Sequence, residues 1–391
     1  MITVEEALAR CFALVTPVGT ETVPLRRAAG RVLRAAAPAR LTQPPFAASA
    51  MDGYALGAAA DPGARFTVLG EAGAGHAYAG RIGPDEAVRI FTGAPLPEGA
   101  VTIAIQEEVE AAGPSITLRK AAAPGDNIRP RGQDFAEGDR LQAPRRLTAN
   151  DIALLASMNL PELTVSRRPV VALIATGDEL VMPGEEPGPD QIIASNTFAL
   201  AAMVEAAGGE ARMLPIARDN EDSLRMVFGL AEGADLVVTV GGASVGDHDL
   251  VGKVAGDLGL ERAFWKIAMR PGKPLMAGRL GEAVMLGLPG NPVSAIVCGH
   301  LFLLPLLKAM QGLPATAPAT RKARLGTDVG PTGPRTHYMR ARLDDEGATI
   351  TPFDRQDSAL LSILSTADAL LIRPLGDGPR RAGDWAEYIP I

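Results

Sequence analysis

Three segments of the 391-residue sequence combine glycine with charged or hydroxyl side chains. The first, Thr239–Asp249 (TVGGASVGDHD), follows a predicted apolar strand. Glycines at such a junction let backbone N–H groups approach an oxyanion, and the positive end of the next helix dipole favours the same anion. Ser244 adds a hydroxyl donor, and Asp247 and Asp249 stand where a cation could be held against a bound phosphate. An ordinary strand-to-helix turn with an acidic cap is the alternative.

The second segment, Phe264–Pro274 (FWKIAMRPGKP), concentrates positive charge in an acidic protein. It contains two of the six lysines of the chain, Lys266 and Lys273, with Arg270 between them. If the segment is extended, Lys266 and Arg270 lie on the same side, because side chains four residues apart in a strand face alike. Such a row suits phosphate or oxyanion binding. An edge strand protected by its charges is the alternative.

The third segment, Leu286–Ser294 (LGLPGNPVS), is a second strand-loop-helix junction. Its two prolines fix the loop, Gly290 permits a tight turn, and Ser294 falls in the first turn of the predicted helix. A rigid loop before a helix could bind another anionic group, or it could serve only as a stiff connection.

Acidic residues follow other predicted strands. Residues 176–179 (TGDE) come after one apolar strand and Asp219 after the next, while Asp52 and Asp134 lie earlier in the chain. Isolated acidic residues in loops are usually solvated turns or caps. Carboxylates that follow neighbouring strands of one parallel sheet would converge, however, and would suit a hard cation such as Mg²⁺. The residues thus predict metal-assisted chemistry on a phosphorylated ligand.

The elements that position these segments form an alternating pattern between residues 169 and 314. Continuous apolar strands alternate with helices, which predicts a parallel sheet covered on both faces. Ligands of such sheets bind beyond the carboxyl ends of the strands, where the glycine-rich loops lie. The predicted strands are 170–175, 213–217, 236–240, 264–269 and 284–288, and the predicted helices are 196–207, 221–231 and one from Val293 onward.

The remaining chain predicts three further regions of an α/β multidomain protein. Residues 41–138 hold short β-branched runs between glycine and proline, which indicates an inserted β domain. Residues 1–40 together with 139–168 predict an elongated domain of helices and strands, although the N-terminal helix could pack elsewhere. Residues 315–391 are β-like, and we expect a small C-terminal barrel or sandwich.

Composition limits the classes of partner. A net charge of −7 and a pI near 5.3 argue against a nucleic-acid surface, which needs clustered excess Lys and Arg. Two distant cysteines and four histidines without metal-ligand spacing do not predict a zinc site. The N-terminus has no basic leader, and the apolar stretch Ala295–Leu307 is shorter than the roughly 20 residues that span a bilayer. We therefore expect a cytoplasmic protein with no membrane or nucleic-acid partner.

Ordered motifs across the chain resemble those of the molybdopterin molybdenumtransferase family, which includes bacterial MoeA and the E domain of gephyrin. The likeness covers about residues 40–312 and is weaker at both ends. In the inserted segment it rests on residues 44–55, 89–97 and 128–134. In the α/β segment it rests on residues 176–180, 241–246, 264–266, 270–274 and 287–294.

The resemblance implies an elongated homodimer of four-domain subunits, in which residues 1–40 and 139–168 form the dimerisation domain and each active site lies between domains of both subunits. It implies adenylylated molybdopterin and molybdate as substrates, Mg²⁺ as cofactor, and release of AMP on metal insertion. A molybdopterin adenylyltransferase and the chaperones of molybdoenzymes are the further protein partners that it suggests.

The resemblance also assigns site residues. The implied metal ligands are Glu179 and Asp249. The implied catalytic residues are Asp52, Asp134, Glu179, Asp219, Asp249, Lys266, Arg270 and Lys273. The implied substrate-binding residues are Thr176, Gly177, Asp178, Gly241, Gly242, Ser244, Gly246, Pro289, Gly290, Asn291, Pro292, Ser294, Arg340 and Ser358, the last two from a looser motif.

Two positions depart from the family pattern. Relatives often have lysine where this chain has Arg270, and an arginine cannot donate a proton near neutral pH, so a general-acid role is not expected there. Ala243 replaces a branched residue, which should affect packing only.

Three other functions are compatible with part of the sequence. A molybdopterin adenylyltransferase would resemble residues 169–312 but would lack the inserted segment with Asp52 and Asp134. A non-catalytic pterin-binding scaffold would not need all of the expected carboxylates. A nucleotide-processing enzyme that shares the GDEL motif at residues 177–180 would fit neither the insertion nor the loop at 287–294.

Overall fold

The computed structural model describes residues 1–242 and 250–391. A π-helical turn, Gly299–Leu303, joins two helices into one apolar helix of 19 residues, Pro292–Met310, and 78% of its most apolar window is buried in the protein. This burial is typical of a core helix. The helices of the described residues are Val4–Ala13, Ala149–Ser157, Asn196–Ala206, Glu221–Leu230, Leu250–Asp257, Pro292–Cys298, Leu304–Met310 and Leu361–Leu364, with 3-10 turns at Leu25–Arg27 and Gln106–Glu108.

The central sheet has six strands, and the predicted parallel arrangement is confirmed for four of them. Met276–Leu280 runs antiparallel to both of its neighbours, Ala283–Leu288 and Leu260–Trp265, which corrects the expectation of a parallel sheet at that edge. The cause is local: only Gly281 and Glu282 separate two strands, and such a short turn joins antiparallel neighbours. In spatial order the strands are Glu210–Met213, Val170–Ala175, Leu236–Val240, Ala283–Leu288, Met276–Leu280 and Leu260–Trp265.

Two predicted strands have different bounds. The strand expected at 213–217 is Glu210–Met213, because Pro215 cannot donate a backbone hydrogen bond to a sheet. The strand expected at 264–269 ends at Trp265. Lys266 has a φ of 70°, which is unusual for a residue other than glycine, and the chain turns there. The condition under which Lys266 and Arg270 would lie on the same side, an extended segment, is therefore not met.

Each face of the central sheet packs against helices. On one face, Leu173 and its neighbours pack with Leu200 and Phe302 in a large apolar cluster. On the other, Ile174 packs with Leu224 of the helix that follows the next strand. The alternation of strand side chains between two helical layers explains why the strands are apolar throughout.

The N-terminal helix Val4–Ala13 packs on this α/β core, since Val4, Leu8 and Cys11 belong to the same apolar cluster. Thr3 Oγ1 accepts a hydrogen bond from Glu6 N at 3.1 Å, as expected for a cap. The Glu6 carboxylate pairs with Arg10 at 2.6 Å.

A separate core forms from chain segments on either side of the inserted segment. Leu33, Leu155 and Val165 pack together in it. The helix of this region is Ala149–Ser157, and Thr148 and Asp151 form its capping box. The strands of this region are Thr20–Pro24, Val32–Leu33, Ala37–Pro38, Arg140–Leu141, Arg145–Arg146 and Glu162–Ser166.

The inserted segment folds as a six-stranded β sheet with apolar clusters on both faces. The β-branched runs of this segment form four of its strands, and Gly53–Leu56 and Val109–Ala112 complete the sheet. In spatial order its strands are Thr102–Ile105, Gly53–Leu56, Glu86–Ile90, Arg65–Ala72, Ser115–Leu118 and Val109–Ala112, and a two-stranded pair is formed by Ala48–Ser49 and Ile128–Arg129.

The C-terminal segment closes into a five-stranded barrel, because Thr336–Leu343 pairs with both Thr349–Pro352 and Ala369–Arg373. The short strand Met269–Arg270 of the α/β segment adds to the same sheet by parallel pairing with Thr336 and His337. This pairing joins the barrel to the cationic segment Phe264–Pro274, hereafter the basic loop. The remaining strands of the barrel are Arg321–Leu325 and Trp385–Pro390.

Candidate functional site

Three loops meet at the carboxyl ends of the central parallel strands. Thr176 N donates to Val240 O at 3.0 Å, and Gly241 N donates to Leu288 O at 3.2 Å. A Cβ on Gly241 would lie 2.6 Å from Thr176 O, and one on Gly290 would lie 3.5 Å from the Gly241 Cα. The loops therefore contact one another through backbone, and only glycine fits at position 241, where φ is 97°.

These loops surround a cavity of about 1300 Å³. It lies where ligands of open α/β sheets bind. The predicted site residues that line it are Thr176, Gly177, Glu179, Asp219, Gly241, Gly242, Pro289, Gly290, Asn291 and Pro292.

Two carboxylates reach this cavity from neighbouring loops. A Cβ on Gly177 would lie 2.3 Å from Glu179 Oε2, so the Glu179 carboxylate is folded over the backbone at Gly177. Asp219 N donates to Asp178 Oδ1 at 3.1 Å, and Asp178 N donates to Asp219 Oδ2 at 3.4 Å. Asp178 is absent from the lining and instead ties its loop to that of Asp219. The described residues contain no cluster of three or more His, Cys, Asp or Glu side chains that could hold a metal ion.

A smaller cavity of about 330 Å³ adjoins the first and shares Asn291 with it. Arg270 and Lys273 of the basic loop line it together with Arg335, which the sequence reasoning missed. Arg335 belongs to no motif, and only the pairing of the barrel with the basic loop brings it there. Ser294, Ser358 and Asp357 line the same cavity, so two hydroxyls, one carboxylate and three cations face one small space.

The Asn291 loop is held on both sides. Asn291 Nδ2 donates to Ser358 Oγ at 3.1 Å, and Asn196 Nδ2 donates to Gly290 O at 2.7 Å. Arg340 is only 2% exposed and lines neither cavity. Its guanidinium donates to the carbonyls of Arg355 and Leu360 at 3.3 Å, so it supports the loop that carries Ser358.

Lys266 also lines neither cavity. Its Nζ lies 3.7 Å from the centre of the Trp265 ring, a cation–π contact. The turn at Lys266 separates it from Arg270, so the structure does not bring all three predicted cations together.

Asp52 and Asp134 lie in the inserted segment and line neither cavity of their own chain. Asp52 Oδ1 accepts hydrogen bonds from Thr92 N and Thr92 Oγ1, both at 2.8 Å. These two bonds, the backbone one above all, hold the pKa of Asp52 below its ordinary value, and nearby Arg89 acts in the same direction. Asp134 is exposed. The predicted residues Ser244, Gly246 and Asp249 lie outside the described residues, as does Ala243.

Comparisons with known proteins agree with this geometry. The sequence matches three family descriptions: "MoeA N-terminal region (domain I and II)" at residues 2–159, "Probable molybdopterin binding domain" at residues 172–309, and "MoeA C-terminal region (domain IV)" at residues 322–391. Molybdopterin molybdenumtransferase 2 of Mycobacterium tuberculosis is 36% identical over 368 residues, which cover 90% of each chain. The molybdopterin molybdenumtransferase of Staphylococcus epidermidis is 30% identical over 99% of this chain and 95% of the relative.

A solved structure of the molybdopterin biosynthesis MoeA protein of Pyrococcus horikoshii superposes with a TM-score of 0.86 at 26% identity and covers both chains fully. The agreement extends over the inserted segment, the α/β segment and the barrel. The chain therefore belongs to the molybdopterin molybdenumtransferase (MoeA) family.

Proposed function

We propose that the protein inserts molybdenum from molybdate into adenylylated molybdopterin and releases AMP. The observation that carries this proposal is the pairing of two cavities: a large one with carboxylates at its rim and a small cationic one next to it. Membership in the family, over nearly the whole chain, supports the same reaction.

The larger cavity is suited to the nucleotide substrate. Sites for molecules of drug size usually enclose about 300–1,000 Å³, so a cavity of about 1300 Å³ has room for a pterin joined to a nucleotide. Because Gly241 and Gly242 have no side chains, phosphate oxygens in this cavity can approach their backbone closely.

The smaller cavity is suited to molybdate, a doubly charged oxyanion. Arg270 and Arg335 can each offer a planar fork of N–H donors, and Lys273 offers a compact charge. The hydroxyls of Ser294 and Ser358 add neutral donors. Because the cavities share Asn291 and Pro289, the oxyanion would lie next to the nucleotide substrate.

The carboxylates fit the proposed Mg²⁺ dependence. Mg²⁺ is usually held by one or two carboxylates together with substrate phosphates, so a protein cage of three ligands is not needed. Glu179 would hold the ion, with Asp249 from outside the described residues as its predicted partner; Asp219 lies beside the loop that carries Glu179. When bound, the ion would neutralise charge that develops on the phosphates.

We further propose that the active protein is a homodimer in which the inserted segment of one subunit completes the site of the other. Asp52 and Asp134 support this arrangement because they lie outside the cavities of their own chain. A cytosolic location is proposed because Cys11 and Cys298 are both free and buried, as in a reducing compartment. An adenylyltransferase that supplies the substrate and chaperones that receive the product stay predictions.

The proposed function is tested by incubating the purified protein with adenylylated molybdopterin, molybdate and Mg²⁺ and following AMP release. Glu179→Gln should lower the rate about 10- to 100-fold at limiting Mg²⁺, since it removes a charged ligand. Glu186→Gln, an exposed neighbour, is the matched control and should keep wild-type activity. Consumption of ATP with free molybdopterin, giving adenylylated molybdopterin and pyrophosphate without release of AMP, would instead indicate an adenylyltransferase.

A further inference from the structure

The larger cavity is lined by more acidic than basic side chains. Glu179 and Asp219 line it with negative charge, and Lys253 is the one cationic side chain among the described residues of its lining. No motif contains Lys253, and no role follows for it from the sequence. A pyrophosphate-linked substrate is multiply negative and would be repelled by the two carboxylates unless positive charge lay nearby.

Lys253 is placed at the cavity by a well-anchored helix. Leu250–Asp257 begins beside the glycine loop, and Val251 in its first turn is 1% exposed. A Cβ on Gly242 would lie only 2.2 Å from Val251 Cγ2, so helix and loop are in direct contact. This contact fixes where the Lys253 backbone lies, while its side chain stays 61% exposed.

In this structure the Lys253 ammonium is bonded to Glu221, whose Oε1 accepts a hydrogen bond from Nζ. Glu221 begins the helix after the Asp219 loop, and its other oxygen lies 3.6 Å from Arg225. Exposed ion pairs of this kind add little stability and are screened by salt. If Lys253 moved away, Glu221 would keep only the more distant Arg225, which is itself bonded to Asp257 at 2.5 Å. Because the pair is exposed, water can solvate the freed carboxylate, so the exchange costs little.

We propose that Lys253 is a substrate-binding residue that leaves Glu221 to contact the phosphate groups of adenylylated molybdopterin. The assignment rests on the proposed function of this cavity. In the absence of substrate, Glu221 binds the Lys253 ammonium at the rim of the larger cavity, and a more highly charged anion displaces this carboxylate. A phosphate group attracts a lysine more strongly than a single exposed carboxylate does, because its charge and its number of acceptor oxygens are larger.

The test compares the steady-state kinetics of AMP release in four variants. Lys253→Met should raise KM for adenylylated molybdopterin about tenfold, the loss expected for one charged hydrogen bond, and should change kcat less than KM. Lys253→Arg should recover most of the affinity because it restores the charge. Lys120→Met is the matched control, since Lys120 forms a similar exposed pair with Glu108 at 2.7 Å in the inserted segment.

Glu221→Gln separates the proposal from a structural role of the ion pair. If Lys253 acts on the substrate, this variant keeps or lowers KM, because the ammonium is no longer held by a carboxylate. A rise in KM equal to that of Lys253→Met would overturn the assignment, as would a wild-type KM in Lys253→Met. A wild-type protein that released no AMP would overturn the proposed function and the assignment with it.

Discussion

Gly272 lies in the basic loop with a φ of 105°, a conformation that other residues rarely adopt. A Cβ at this position would lie 2.6 Å from Cys298 Sγ and 3.1 Å from Met269 Cε. Cys298 is fully buried, and burial raises the pKa of its thiol, so the sulfur stays neutral. The basic loop thus packs directly against the uncharged side chains of Cys298 and Met269.

Gly272→Ala should therefore move the loop and weaken the site for the oxyanion. We expect a higher KM for molybdate and a loss of about 1–3 kcal/mol in the free energy of unfolding, from strain at a positive φ. Urea unfolding and the molybdate dependence of AMP release measure the two effects. Gly229→Ala is the control, because Gly229 is helical with open space around it, and it should stabilise by up to about 1 kcal/mol. Equal behaviour of the two variants would contradict the argument.

The sequence predicted that some residues lie at the site and gave no indication of others. Gly241, Gly290 and Lys273 were predictable because glycine after an apolar strand, or charge in a basic cluster, has a local meaning. Arg335 and Lys253 line the cavities without belonging to any pattern. Their positions depend on contacts between distant segments, and no local rule describes those.

At the scale of elements, apolar runs identified most helices and strands of the central sheet. The apolar run at 264–269 was predicted to be one strand because its pattern is typical of a strand, but tertiary contacts interrupt the strand within the run. Lys266 N donates to Leu275 O at 3.0 Å, and Ile267 N donates to Lys273 O at 3.1 Å, which closes the basic segment into a loop. Met269, the last residue of the run, and Arg270 then pair with the barrel. The sequence alone gives no sign that the partner strand lies 67 residues further along the chain.

His337 lies at this junction between Met269–Arg270 and the barrel, and it gives the junction a pH dependence. Burial first, and then the charge of Arg270 and Arg335, lower the pKa of His337 from 6.5 to about 4. Between these two values the unfolded chain binds a proton that the folded protein does not bind. The free energy of unfolding should therefore fall as the pH decreases from about 6.5 to about 4.

His337→Gln should remove this contribution, so that acidification from pH 7.5 to 5 lowers the urea midpoint less than in the wild type. His76→Gln, in an exposed loop of the inserted segment, is the control and should keep the wild-type difference between the two pH values. If His337→Gln lost as much stability on acidification as the wild type, another group would have to be responsible.

At the scale of the whole molecule, the segments are joined by buried polar contacts. Gln311 is 2% exposed, and its Nε2 donates to Ala207 O at 2.9 Å, while Arg34 donates to Gln311 O at 3.3 Å. These bonds connect the α/β core with the segment that carries the insertion. The sequence divides into predicted segments because each has its own composition and periodicity. It could not predict how they are oriented, which depends on a few such contacts.

The proposed dimer makes a prediction that only the whole assembly can satisfy. Asp52→Asn and Glu179→Gln should each abolish most activity, yet the two variants produced together should recover about a quarter of the wild-type rate. Half of randomly formed dimers would be mixed, and each mixed dimer would contain one site with both carboxylates intact. The measurement compares the rate of AMP release by the co-purified mixture with the rates of the two variants purified alone. If Asp52 served the cavity of its own chain, no mixed dimer would hold an intact site, and the mixture would be as inactive as its components.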